Sequence, residues 1–153
     1  MPVYFYSSWL SCKATDVDVD AMIKGYNQIK ARINDIIEKG REASNKEQGQ
    51  LESLRIALEA SARKMTFANI DLYNSEATIW KAIDDNTILP PFSSIDGLGE
   101  TVAQNIVEER KKKEFLSIED LQKRCKISTT LIDKLKLMGI LNDLPESSQM
   151  TLF

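Results

Sequence analysis

Three observations predict a mainly α-helical chain made of a helical bundle, one small β-hairpin and two successive helical hairpins. Apolar residues recur at helical spacing through much of residues 2–62, the period changes between 70 and 89, and helical spacing resumes from Phe92 around two closely spaced glycines. The expected division is a helical part over 1–66, a second part over 67–144 and a flexible tail over 145–153.

Pro2 suits a helix start, and Phe5, Trp9 and Leu10 fall at helical spacing. Residues 2–12 therefore read as a helix, cut short at its beginning, that leaves apolar side chains exposed in the isolated chain. The run Asp16, Asp18, Asp20 follows. Paired aspartates can hold magnesium, but only a strand would put these three on one face, and an amphipathic helix starts directly after them. Capping is the reading adopted. Met22, Ile23, Tyr26, Ile29, Ile33, Ile36 and Ile37 predict one long helix stopped at Gly40. Ser44 with Glu47 has the spacing of a capping box and opens a helix with Leu51, Leu54, Leu58 and Ala62 on one face. The two helices should pair as a hairpin.

Ile70, Leu72, Ile79, Trp80, Ile83, Ile88 and Leu89 surround the polar turn Asp84-Asp85-Asn86, which predicts the β-hairpin. Pro90-Pro91 ends it. Val102, Ala103, Ile106 and Val107 form the inner face of the next helix. Ser117 with Asp120 marks another helix start, and Ser128 caps a last helix with Leu131, Ile132, Leu135 and Met138, stopped at Gly139.

Composition narrows the chemistry. With 42 % apolar residues the chain can bury a core, and no apolar run approaches the roughly 20 residues of a membrane span. Residues 1–10 carry no positive charge ahead of an apolar stretch, so no signal peptide is read and a cytoplasmic protein is expected. The chain has no histidine, and Cys12 and Cys125 stand far apart. Zinc sites, disulfide scaffolds and Ser/His or Cys/His nucleophiles are thereby disfavoured. Both cysteines read as small core residues, and no catalytic or metal-binding residue is assigned. Net charge is −3, distributed unevenly: −3 over 1–99, +2 over 100–140 and −2 over 141–153. Phosphate contact is expected in the middle segment, with weak intrinsic affinity.

The site with most content is Ile95-Asp96-Gly97-Leu98-Gly99, directly followed by Glu100, Thr101 and a helix. Glycines let the backbone turn tightly and approach a ligand closely. The first amides of the helix lack intrahelical partners and sit at its positive end, where an anion is stabilised. Leu98 can pack inward and stiffen the loop. A second, glycine-free copy is read over 119–138 around Lys126-Ile127-Ser128. Arg110-Lys111-Lys112-Lys113 either complements the helix C-terminus as a solvated face or extends a phosphate footprint through Lys111, Lys112 and Lys113.

The loop Gly97-Leu98-Gly99, with Ile95, Ala103 and Ile106 around it, resembles the helix-hairpin-helix motif of DNA polymerases, ligases and repair proteins. That resemblance implies main-chain amides holding duplex DNA phosphates without reading bases. The final Gln149-Met150-Thr151-Leu152-Phe153 is an apolar end after a polar stretch. It resembles the bacterial sliding-clamp-binding pentapeptide, in which Gln sits at the pocket rim while Leu and Phe fill it. The alternative is a tail folded onto its own domain.

Pro2 to Tyr6, Asp18 to Gly25, Asn69 to Tyr73, Leu89 to Phe92, the glycine hairpin and the final pentapeptide together resemble the C-terminal end of the PolC-type DNA polymerase III α subunit. The resemblance implies that 1–66 ends the fingers region, that 67–144 is a duplex-binding region and that the rest is a clamp tail. Upstream polymerase domains would hold the catalytic residues of the nucleotidyltransferase. No cofactor is expected in this chain, although the intact family enzyme implies magnesium. Met1 ahead of a mid-domain sequence points to an excised or split segment. A free-standing, non-enzymatic adaptor joining DNA to a clamp or repair complex is the alternative.

Overall fold

The computed structural model describes residues 2–14 and 16–147. Among these, seven α-helices, α1 (Pro2–Lys13), α2 (Val19–Lys24), α3 (Tyr26–Lys39), α4 (Asn45–Ala62), α5 (Glu100–Lys112), α6 (Ile118–Cys125) and α7 (Thr129–Leu137), surround three short strands, β1 (Thr66–Phe67), β2 (Lys81–Asp84) and β3 (Thr87–Leu89). The mainly α expectation with a β-hairpin holds, and several elements differ in detail.

Side-chain caps set most helix starts. Asp18 accepts from the Ala21 amide at 3.2 Å and pairs with Arg32 at 3.0 Å, so it serves as a cap. Ser44 and Glu47 form the complete capping box of α4. Ser117 and Ser128 cap α6 and α7. The helix expected from Met22 to Ile37 is broken at Gly25, whose φ of 104° no helix accommodates, and this splits it into α2 and α3. Consequently Tyr26 and Ile37 are exposed, while Ile29, Ile33 and Ile36 face α4 and its surroundings. On α4 the buried face is Gln50, Ser53, Leu54, Ala57 and Ala60, rotated from the leucine stripe the sequence suggested.

On α1 the buried side chains are Val3, Tyr6, Ser7 and Leu10. Phe5 is exposed and Trp9 only partly buried, so the helix shows its inner face at a rotation different from the expected one. Tyr4 and Phe5 form the apolar surface that does remain exposed. Cys12 also lies exposed on α1, unlike the core position expected; Cys125 is buried, and burial pushes its thiol up to about 12.

The β-hairpin itself occupies only residues 81–89 of the expected 70–89. β2 and β3 run antiparallel around Asp85-Asn86, with Asp84 Oδ1 accepting from the Asn86 amide at 2.8 Å. β1, which the sequence did not reveal, pairs parallel to β3. Ile70 and Leu72 lie in an irregular segment and belong to the second core.

Two apolar cores result. The first gathers α1, α3, α4 and the sheet, including Phe67, Trp80 and Ile88. The second gathers Ile70, Leu72 and the apolar residues from Phe92 to Leu144, and also takes Val19 of α2. Ile23 packs against both. The two cores thus meet at α2. Beyond α7, Pro145 and Glu146 accept hydrogen bonds from the Ile118 and Glu119 amides, at 2.8 and 3.1 Å, so the chain stays attached to α6 through residue 146.

Candidate nucleic-acid interface

Two hairpins follow in succession. In the first, a single 3-10 turn, Phe92–Ser94, leads through Ile95 to Gly99 into α5. In the second, α6 leads through Lys126-Ile127-Ser128 into α7, with Lys126 left-handed at φ 59°. Ile95, Leu98, Ala103, Ile106, Leu121, Ile127, Ile132 and Leu135 bury the two hairpins against each other in the second core. Alanine at 103 is fully buried.

The first hairpin is built to present backbone. Leu98 is buried and its amide donates to the Ile95 carbonyl at 3.0 Å, which pins the loop from inside. Gly97, Gly99, Glu100 and Thr101 are exposed. Gly97 has φ 86°, a left-handed value that glycine adopts without strain. Gly99 is different: its φ is −74°, open to any residue, and a Cβ there would meet none of the described residues within 4 Å. Among the described residues no side chain caps α5, whereas serine hydroxyls cap α4, α6 and α7. The Ala103 amide is the first to close onto the helix, donating to the Gly99 carbonyl at 3.0 Å. The preceding amides, of Glu100, Thr101 and Val102, have no intrahelical acceptor, as at any helix start.

Of the expected cations, Lys111, Lys112 and Lys113 lie at the opposite end of α5, ~18 Å away along the helix at 1.5 Å per residue. Lys112 pairs with Glu109 at 2.7 Å and Lys111 with Glu108 at 3.9 Å. Arg110 is committed to the fold: it donates to the Leu72 and Ser75 carbonyls at 3.2 and 2.5 Å and packs over Phe92. Arg124 does the corresponding work between α5 and α6. It donates to the carbonyls of Glu109 and Lys113 at 2.6 and 2.9 Å, pairs with Glu109 and Asp120, and stacks 4.6 Å from the Phe115 ring centre.

The cations that do stand at the first hairpin were invisible in the sequence because they come from remote elements. Lys46, in the first turn of α4, pairs with Asp96 at 2.5 Å. Lys134 of α7 donates to the Asp96 carbonyl oxygen at 3.3 Å. Lys46 holds the Asp96 carboxyl below its ordinary value.

Magnesium, implied for the intact enzyme family, finds no fit among the described residues. Asp18 is occupied by a helix cap and Arg32, and no group of three His, Cys, Asp or Glu side chains converges. The pentapeptide Gln149, Met150, Thr151, Leu152 and Phe153 lies outside the described residues. No helix among the described residues is long and apolar enough to cross a membrane.

Residues 54–150 match the family model for the helix-hairpin-helix motif. DNA polymerase III PolC-type from Halalkalibacterium halodurans is 45 % identical over 99 % of this chain. Its counterpart from Bacillus subtilis is 46 % identical over 97 %, and that from Lactococcus lactis is 41 % identical over 99 %. The chain spans about a tenth of the length of these curated relatives. With glycine hairpin, paired helices and near full-length similarity in agreement, the chain belongs to the helix-hairpin-helix family and is a homologue of a segment of the PolC-type DNA polymerases III.

Proposed function

We propose that this chain is the duplex-binding, clamp-tethering part of a bacterial replicative DNA polymerase of the PolC type, acting in the cytoplasm on DNA-directed DNA synthesis. The observation that carries the DNA-binding reading is Gly99. Its backbone does not require glycine and its missing Cβ opens onto empty space, directly beside uncapped helix amides. Glycine there leaves the backbone open to close approach by a group outside the chain.

A DNA phosphate has the required chemistry. Its oxygens accept from the amides of Gly99, Glu100 and Thr101, and the helix dipole stabilises its charge. Such contacts position duplex without reading bases. Lys111, Lys112 and Lys113, at the far end of α5, would meet a different phosphate of the same duplex and lengthen the footprint. Glu100 in the first turn and a net charge of −3 keep the grip weak in isolation. The continuous similarity over nearly the whole chain favours a polymerase segment over an unrelated adaptor. In that setting, upstream polymerase domains supply the reaction, and the final pentapeptide would dock on the sliding clamp.

Gly99→Val tests the hairpin. In fluorescence anisotropy with a labelled duplex at low salt, the variant should bind at least tenfold more weakly while keeping its helical circular dichroism. Equal affinity for the two proteins would remove the assignment.

A further inference from the structure

Lys46 reaches the hairpin from the other half of the molecule. The capping box of Ser44 and Glu47 fixes the start of α4, and Glu47 is itself held by Arg32 at 3.2 Å and Lys39 at 2.7 Å. Lys46 is therefore presented from a well-anchored turn, yet its side chain is half exposed. It lines a cleft of about 330 Å³ together with Asp16, Asp96, Gly97, Leu98 and Gly99. Its ammonium and the glycine loop thus share one open space. The occupant of that ammonium is Asp96, itself largely exposed and one residue before Gly97. The pair gains little from burial, since exposed ion pairs contribute only marginally to stability. A carboxylate on Lys46 resembles, in charge and geometry, one edge of a phosphate.

We propose that Lys46 is a DNA-phosphate ligand that Asp96 occupies in the free protein, and that duplex binding exchanges the Asp96 carboxylate for a backbone phosphate. This rests on the reading of the hairpin as a duplex-binding site. The exchange adds a cation from outside the hairpin pair to the contact, and Lys134, already on the Asp96 carbonyl, stands beside it. Asp16 in the same cleft disfavours a small free anion, so the ligand that takes Lys46 is a phosphate held in place by the rest of the duplex.

The experiment compares the wild-type chain of 153 residues, Lys46→Gln, Asp96→Asn, the double variant and Gly99→Val by anisotropy on one labelled duplex across a salt series. Lys46→Gln should weaken binding several-fold and make the salt dependence shallower by about 0.9 in slope, the change expected when one phosphate is no longer neutralised. Asp96→Asn should tighten binding when Lys46 is present and change nothing in the Lys46→Gln background. Tightening by the same factor in both backgrounds would mean that Asp96 acts only through its long-range field, which overturns the exchange. So would unchanged affinity and slope in Lys46→Gln. If either occurs while Gly99→Val still weakens binding at least tenfold, the hairpin reading stands and only the exchange fails. Unaltered binding by Gly99→Val would overturn both.

Discussion

Gly97 and Gly99 are two residues apart and carry glycine for different reasons. Gly97 is left-handed, and Leu131 lies at an ordinary 3.7 Å from where a Cβ would sit. Gly97→Ala therefore meets no clash but must adopt a conformation that costs an L-residue about 1–2 kcal/mol. A drop of a few degrees in Tm is expected, roughly 2–4 °C per kcal/mol for a chain of this size. Gly99→Ala should leave Tm unchanged. Thermal melts of both variants check the contrast; an equal loss at the two positions would contradict the difference in backbone geometry. Both glycines stood out in the sequence, but that only Gly97 needs glycine for its own backbone depends on φ values that spacing does not encode. Lys46 and Lys134 had no such signal, because their proximity to Asp96 arises only when α4, α7 and the loop come together.

Among elements, local chemistry was the most legible. The caps at Ser44, Ser117 and Ser128 and the stops at Gly40 and Gly139 act within one helical turn, and the sequence shows them directly. What depends on remote partners was hidden. The inner face of α1 is set by α4 and the sheet, so Val3 and Tyr6 are buried and Phe5 is not. The parallel partner β1 reaches β3 across some twenty residues and has only two residues of its own. Gly25 gave no warning of a break because the isoleucine spacing continues across it. The α3–α4 pair also carries a pH dependence. Lys39, the Ser44 amide and Arg32 hold the Glu47 carboxyl at about 2, below its ordinary 4.5. Because the folded value is depressed, this contribution is complete above about pH 5 and is lost as pH falls towards 2. Denaturant unfolding at pH 6 and pH 3 should show the stability gap between wild type and Glu47→Gln shrinking at the lower pH. A gap that stays constant would detach the capping box from the acid response.

For the whole molecule, the proposed role combines two weak contacts. Burying Leu152 and Phe153 in a hydrophobic cleft is worth roughly 3–6 kcal/mol before ordering costs, which consume much of it. A clamp contact on the order of micromolar follows. It becomes effective because clamp and hairpin would hold the same DNA, making the second contact intramolecular. Deleting Leu152 and Phe153 should abolish binding to a bacterial sliding clamp in surface plasmon resonance and leave duplex affinity intact. Equal clamp binding by the truncated chain would mean that Gln149 to Phe153 is not the docking peptide.

The placement of α2 has a mechanical consequence for such a molecule. Its six residues send Ala21 and Met22 into the first core and Val19 into the second, with Ile23 touching both. It acts as a rivet through two plates that are also joined by the irregular segment between β1 and β2. Separating the two cores therefore means giving up packing on both faces of α2.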